Sequence, residues 1–160
     1  MLILNCGGTF NKRYNKLNGE LEIPFDNKVV DTILQSVKYE YKIAGVCYKD
    51  SLDMNEKDRE TIANIIHNSD EDKFIIIHGT DTMDKTAEFL DEIFDNRTIV
   101  LTGAMKPFEI DNIEATLNIG LSLGFINSLP TKGVYICMNG FIKERNKLKK
   151  NRELGKFELV

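Results

Sequence analysis

The sequence lacks the features that mark membrane, metal-dependent and disulfide-rich proteins. No apolar run approaches the roughly 20 residues that a membrane-spanning helix needs. Three cysteines are too few and odd in number for a dense disulfide framework, and their spacing suits no metal site. The two histidines, His67 and His78, lie apart and without clustered carboxylates. We therefore expect neither a metal nor another cofactor, and no membrane partner.

Signals for nucleotides and nucleic acids are also missing. The net charge is −4, and no phosphate-binding glycine pattern of the G-x-G-x-x-G or G-x-x-x-x-G-K-[ST] type is present. The basic run 143–152 lacks interleaved aromatic residues and is more typical of a solvated loop than of a nucleic-acid site. These absences favour a small-molecule ligand.

The length and the first residues of the sequence limit the number of domains and the location that we expect. A chain of 160 residues is long enough for one domain with its own core. Met1 leads straight into a strand-like run, with no basic or long apolar leader segment. We expect a cytoplasmic protein in which Cys6, Cys47 and Cys137 are reduced and half buried.

Apolar runs of strand length alternate with segments of helical period. The strands are predicted at 1–5, 42–48, 73–77, 98–102 and 133–138, with a possible last strand at 157–160. Four helices are predicted between them. The first carries Val29, Val30, Ile33, Leu34 and Val37 with Asp26 as its candidate cap. The second is capped by Asn55 and carries Ile62, Ile65 and Ile66, and the third begins at Asp84 and carries Ala87, Leu90 and Phe94. The fourth carries Ile113, Leu117, Gly120, Leu121 and Gly124. This alternation predicts an α/β fold of three αβα layers around a mainly parallel sheet.

Reactive side chains follow each predicted strand. Thr9 follows the first strand, Ser51 the second, Thr80 and Asp81 the third, and residues 104–106 the fourth. Open parallel sheets bind ligands outside the carboxyl ends of their strands. The pattern alone thus predicts one site. A threonine that attacks a carbonyl would need a base or a proton path beside it.

Four segments, in this order, resemble motifs of the bacterial-type L-asparaginase/glutaminase family: residues 6–9 (CGGT), 50–54 (DSLDM), 78–83 (HGTDTM) and 101–107 (LTGAMKP). The resemblance reaches from Met1 to about Arg152. It implies a threonine nucleophile at Thr9 and a proton-relay triad of Thr80, Asp81 and Lys149. Residue types alone do not decide between Thr9 and Thr80 as the nucleophile, and Lys147 and Lys150 compete with Lys149.

The same resemblance places the substrate contacts. Asp50 and Ser51 lie on the loop whose serine binds the substrate carboxylate in the family, and Gly8, Gly79 and Ala104 lie at the turns around it. A glutamine or serine often follows that serine, whereas this chain has Leu52. Ser51 or Asp53 could instead only organise the turn.

A lid is predicted over residues 11–23, a polar segment with Gly19. Tyr14 is its only tyrosine, in the place where the family has a tyrosine that orients the nucleophile. Tyr14 lies closer to Thr9 than in the common members, and a surface aromatic is the competing interpretation. His78 is expected to order its loop rather than to take part in the chemistry.

The chain is about half as long as the full-length family members, and the domain that their C-terminal half forms is not in this sequence. We therefore predict one domain, residues 1–160, that hydrolyses a small side-chain amide such as asparagine or glutamine through a threonine acyl-enzyme and releases ammonia. A homo-oligomer is expected to complete the site. The alternative is a catalytically weak amino-acid-binding module or a subunit of a larger amidase.

Overall fold

The computed structural model describes residues 1–37 and 40–160. Its elements follow here in chain order. The strands are β1 (Leu2–Gly7), β2 (Arg13–Asn15), β3 (Glu20–Glu22), β4 (Lys42–Lys49), β5 (Lys73–Ile77), β6 (Thr98–Thr102), β7 (Gly133–Met138), β8 (Phe141–Glu144), β9 (Leu148–Asn151) and β10 (Lys156–Leu159). The helices are α1 (Lys28–Leu34), α2 (Glu56–His67), α3 (Met83–Ile93) and α4 (Asn112–Asn127), with a short 3-10 turn at Thr9–Asn11.

Six strands form the central sheet, in the order β4-β1-β5-β6-β7-β8. All neighbours pair in parallel except β7 and β8, which are antiparallel. Two apolar clusters cover the faces of this sheet, one built with α2 and α3 and the other with α1 and α4. The predicted three-layer αβα fold is confirmed.

The short polar strands were not predicted. β2 and β3 form a hairpin inside the predicted lid, and β8 adds an antiparallel edge to the sheet. The last predicted strand exists, but it pairs with β9 in a separate two-stranded sheet. Leu148 of β9 and Phe157 of β10 are buried in the core, which anchors this small sheet below the site.

Helix starts follow the predictions with two differences, one of which is that α3 begins at Met83 rather than at the predicted Asp84. The Asn55 side chain accepts the N–H groups of Lys57 and Asp58, as its position predicted. α1 begins one residue later than expected, because Asn27 occupies the N-cap position. Asp26 still accepts the N–H of Lys28 at 3.0 Å.

The apolar residues that predicted α4 lie mainly on its outer side. Ile113, Leu117 and Leu121 are 66%, 58% and 39% exposed, whereas Ile119 and Ile126 face the core. The helix is therefore apolar around most of its circumference. Among the helices described, none is long and apolar enough to cross a membrane.

Candidate active site

The turns that follow β1, β4 and β5 contact one another at the carboxyl edge of the sheet. Gly8 has a φ angle of 74°, and a Cβ atom on it would lie 2.5 Å from the Cα atom of Gly79. A Cβ atom on Gly79 would lie 2.7 Å from the Cβ of Ser51. Only glycine fits contacts this close. The stacked turns bring Thr9, Thr80 and Ser51 to one edge, where the sequence pattern placed them.

Lys150 connects the two polar residues of the turn after β5. Its Nζ atom donates hydrogen bonds to Oγ1 of Thr80 at 2.8 Å and to Oδ1 of Asp81 at 2.9 Å. The Lys150 side chain is only 14% exposed and that of Asp81 30%. Charges that are partly shielded from water interact more strongly than those of an exposed pair. Hydroxyl, ammonium and carboxylate thus form one fixed triad.

The structure places Lys150, and not Lys149, beside Thr80 and Asp81. β9 explains the difference, because side chains alternate between the two faces of a strand. Leu148 points into the core, and Lys150 lies on the same face of β9 as Leu148. Lys149 is exposed and lies opposite Glu158 in the register of β9 and β10. The sequence prediction treated this segment as a loop and therefore missed the alternation.

Arg152 reinforces the same turn from the end of β9. Its Nη2 atom donates to the backbone oxygen of Asp81 at 2.9 Å.

The chain begins its return toward the site at a tight turn after β7, where Asn139 has a positive φ of 51°. Asn139 also accepts the N–H of Phe157 at 2.8 Å, which ties β10 to the end of β7.

Ser51 is enclosed by the turns that it joins. Its hydroxyl oxygen accepts the N–H of Asp81 at 3.1 Å, its carbonyl accepts the Thr82 hydroxyl at 2.7 Å, and the residue is fully buried. The hydroxyl hydrogen of Ser51 is not used in these contacts. Ser51 therefore holds Asp81 in place and keeps one donor for another acceptor.

Asp50, beside Ser51, forms an ion pair with Lys12 at 2.8 Å. Burial raises the pKa of the Asp50 carboxyl, but the hydrogen bond from Lys12, followed by that from the N–H of Leu52, outweighs burial and lowers the pKa overall. The pair joins the loop after β4 to the segment that follows Thr9. Sequence reading had not singled out Lys12.

A pair of buried asparagines supports the Gly7–Gly8 turn. Asn11 donates from Nδ2 to Oδ1 of Asn5 at 2.7 Å and to the backbone oxygen of Gly7 at 3.0 Å. The N–H of Gly7 donates to the same Asn5 oxygen at 3.1 Å. Satisfied buried amides fix a backbone conformation because breaking them leaves unpaired polar groups. The only sequence signal was an asparagine inside an apolar strand.

His78 orders the turn after β5 from within the core. Its Nδ1 atom lies 2.7 Å from the carbonyl oxygen of Gly79, which can only accept, so Nδ1 carries the proton. Nε2 then accepts from the Thr86 hydroxyl at 2.9 Å, and Thr86 accepts from Nε of Arg59 at 3.1 Å. Burial lowers the pKa of His78 to about 4. The imidazole is therefore neutral at pH 7, in agreement with an ordering role.

Tyr14 lies on the lid hairpin with its side chain 55% exposed. Its backbone N–H donates to Oε2 of Glu109 at 2.6 Å, so the hairpin is fastened to the loop after β6. No hydrogen bond of the Tyr14 hydroxyl is found within residues 1–37 and 40–160. The structure thus places Tyr14 on the lid but does not bring its hydroxyl onto a described partner.

The loop after β6 is fixed by α4. Glu114 accepts the N–H groups of Met105 at 3.0 Å and of Lys106 at 3.2 Å, and Asn118 donates to the oxygen of Gly103 at 2.9 Å. Ala104, between these anchors, is 1% exposed. Glu114 and Asn118 are supporting residues that sequence reading missed. In the part of the chain that the structure describes, no three metal-ligating side chains cluster.

Comparisons with known proteins relate this chain to one family. Residues 1–155 match the family described as asparaginase, N-terminal. A probable periplasmic L-asparaginase of Haemophilus influenzae is 31% identical over 120 residues, which are 69% of this chain and 34% of the relative. A glutamyl-tRNA(Gln) amidotransferase subunit of Methanococcus maripaludis is 30% identical over 148 residues, or 86% of this chain and 34% of the relative.

The solved structures extend the likeness to the whole fold. The thermostable L-asparaginase from Thermococcus kodakarensis superposes with a TM-score of 0.83 at 25% identity. The match covers 99% of this chain and 50% of that protein. The chain thus spans about a third of the length of these two curated relatives and half of this solved structure.

Proposed function

Because the chain belongs to the asparaginase family, through the family's N-terminal domain, we propose that it hydrolyses a small side-chain amide and releases ammonia. Asparagine, glutamine or a related small amide is the proposed substrate. The single observation that carries the proposal is Lys150 bridging Thr80 and Asp81 within the stacked turns. Family membership supports the reaction class, and the bridge supports retained chemistry in this chain.

Thr9 is the proposed nucleophile. Its hydroxyl would attack the amide carbonyl, form an ester with the acyl group and release ammonia; water would then cleave the ester and restore the hydroxyl. The proton that leaves Thr9 must reach the departing nitrogen. We assign its path to Thr80, Lys150 and Asp81, in which Lys150 replaces Lys149 of the sequence prediction. In the second step Thr80 would polarise the water.

Substrate binding is proposed at the stacked turns. Ser51 is proposed to donate its hydroxyl hydrogen, which its contact with Asp81 does not use, to the substrate carboxylate; because Ser51 is fully buried, the turns around it must part when the substrate binds. The Asp50 pair with Lys12 positions the loop. Gly8, Gly79 and Ala104 shape the surrounding backbone. Tyr14 of the lid hairpin is proposed to close over the substrate, since loop closure excludes water and strengthens hydrogen bonds inside a site.

Ammonia release from a panel of amides tests the proposal. Asparagine, glutamine and their chain-length variants should release ammonia with wild-type protein, and the carboxylic acid should appear in equal amount. Thr9→Ala is the control for contaminating amidases, because it removes the nucleophile without touching the core. Equal release by both proteins, or none by either, contradicts the proposal.

The alternative is an amino-acid-binding module or a subunit of a larger amidase. It is supported by the relative named as part of an amidotransferase and by the share of the relatives' length that this chain spans. Calorimetry distinguishes the two functions. Saturable binding of asparagine or aspartate that Lys150→Met weakens, together with no acid product over long incubation, favours the binding module.

A homo-oligomer in the cytoplasm completes the proposal. The exposed apolar side of α4, with Ile113, Leu117 and Leu121, supports assembly because solvent-exposed apolar stripes of this kind often mark protein contacts. Light scattering should give more than one chain per particle, and Leu117→Lys should lower the mass. Fractionation of native cells tests the location.

A further inference from the structure

Cys6 and Cys47 lie beside each other on neighbouring strands. β1 and β4 pair in register from Leu2 to Asn5, after which the register shifts so that Gly7 lies opposite Lys49. Cys47 therefore lies in a bulge of β4 across from Cys6. The Cys47 thiol donates to the backbone oxygen of Cys6 at 3.6 Å, and both side chains contact the same apolar cluster on one face of the sheet.

Cys47 is accessible from solvent and lies in an irregular part of an edge strand. β4 is the edge strand of the central sheet, and Cys47 is partly exposed, whereas Cys6 is fully buried. A bulge leaves its extra residue outside the regular ladder, and an edge strand is paired on one side only. The proposal requires that shifts at this irregular part of β4 bring the two adjacent sulfurs into the narrow geometry of a disulfide.

The two thiols also differ in acidity. The neighbouring Cys6 side chain lowers the pKa of Cys47; burial and the negative charge of Asp58 oppose this shift, and the positive charge of Lys49 supports it. The Cys47 side chain, followed by burial, raises the pKa of Cys6. The thiolate is the reactive form, so the accessible cysteine is the one that reacts first.

We propose that Cys47 and Cys6 form a peroxide-responsive dithiol pair whose disulfide joins β1 to β4. The Cys47 thiolate attacks one peroxide oxygen, which breaks the O–O bond, gives sulfenic acid at Cys47 and releases hydroxide. The Cys6 sulfur then attacks the sulfur of Cys47, forms the S–S bond and releases water with the thiol proton. Two electrons pass from the cysteines to the peroxide, and a dithiol reductant reverses the change.

Both cysteines lead directly into the candidate site, and this consequence rests on the proposed function. Gly8 follows Cys6 by two residues, and its N–H donates to the oxygen of Lys49 at 2.8 Å. Ser51 follows Cys47 by four residues. A covalent bond at this point fixes how the turns after β1 and β4 meet, so the oxidised form is expected to have lower amidase activity.

Peptide mapping after graded hydrogen peroxide tests the disulfide without reference to activity. Trypsin should release peptides 1–12 and 43–49 as one cross-linked species that a dithiol separates. Cys137 is the internal control, because it is buried on the other face of the sheet. The free thiol of Cys47 should disappear at least about tenfold faster than that of Cys137. Equal loss of all three thiols, or sulfenic acid at Cys47 without the cross-link, overturns the pair.

Three variants identify the roles. Cys6→Ser should stop the reaction at a sulfenic acid on Cys47, Cys47→Ser should leave Cys6 reduced, and Cys137→Ser should cross-link like wild type. If Cys6→Ser does not fold, Cys47→Ser on the edge strand still decides the matter. Activity is measured separately: a cross-linked protein with unchanged ammonia release removes the regulatory consequence, whereas an inactive reduced protein contradicts the proposed function and leaves the disulfide result standing.

Discussion

The Nζ atom of Lys150 lies 2.9 Å from a carboxylate oxygen of Asp81, on the side of β9 that faces the core. Lys149 is the adjacent residue and points away from the site. Two neighbouring lysines therefore share charge, size and strand but differ in their contacts. This pair gives the sharpest test of the relay.

Lys150→Met should lower ammonia release by about 10²–10⁴-fold, the usual contribution of a positioned acid–base group. Lys149→Met should stay within about twofold of wild type, because an exposed lysine outside the site contributes little. Initial rates on the best amide of the panel measure both. Equal losses in the two variants would argue for a general charge effect rather than a relay.

Thr9→Ala should abolish turnover while the unfolding curve remains that of a folded protein. Loss of a covalent nucleophile costs several orders of magnitude, whereas loss of a supporting hydroxyl costs much less. Thr80→Ala should retain measurable acylation in a single-turnover experiment. Near-normal activity of folded Thr9→Ala transfers the nucleophilic role to Thr80.

Asp81→Asn and Lys150→Met should be strongly non-additive. Residues that act as one unit lose most of their joint effect at the first substitution. The double variant should therefore release ammonia at nearly the rate of the slower single variant. Rates that fall by the product of the two single penalties would place the residues in independent roles.

Gly8→Ala should destabilise the protein more than Gly140→Ala. Both glycines have positive φ angles, 74° and 81°, and Gly8 also has a ψ of −176°, a region that is essentially restricted to glycine, so alanine adds backbone strain there of about 1–3 kcal/mol. A Cβ at Gly8 would meet Gly79 at 2.5 Å, whereas nothing lies within 4 Å at Gly140. The difference, about 1–3 kcal/mol by analogy with overpacking, reports the contact between the turns together with the backbone strain at Gly8. Urea unfolding measures it; equal midpoints would mean that the turns yield freely.

The free energy of unfolding should decrease as the pH falls, because His78 takes up a proton more readily in the unfolded chain than in the folded protein. Because the folded-state pKa is lowered to about 4 from 6.5, the unfolded chain binds more protons between these values. The stability that depends on neutral His78 is fully present above pH 6.5 and is lost as the pH falls toward 4. The loss in the free energy of unfolding is on the order of 3 kcal/mol. Urea midpoints of wild type and His78→Gln across this range give it by difference. A pH slope that is the same in His78→Gln as in wild type contradicts the assignment.

The parallel core was predictable because its strands are continuous apolar runs, as in residues 74–77. Thr9 and Thr80 could be placed at one edge for the same reason, since carboxyl ends of parallel strands meet there. β8 and β9 were not predicted, because four-residue strands rich in charged and polar residues lack the continuous apolar run that identifies a buried strand. The Asn5 and Asn11 network and the choice between Lys149 and Lys150 depend on tertiary contacts, which local pattern does not contain.

Lys150 is 70 positions after Thr80 in the chain, although the two side chains touch. Ribosomes add about 5–20 residues per second, so β1, β4, β5 and β6 exist for seconds before this lysine is made. A chain in the course of synthesis can therefore collapse around the parallel strands while it still has no triad. Under the proposed mechanism, the nascent protein therefore lacks its proton relay until β9 has been added and has folded back onto the turn after β5.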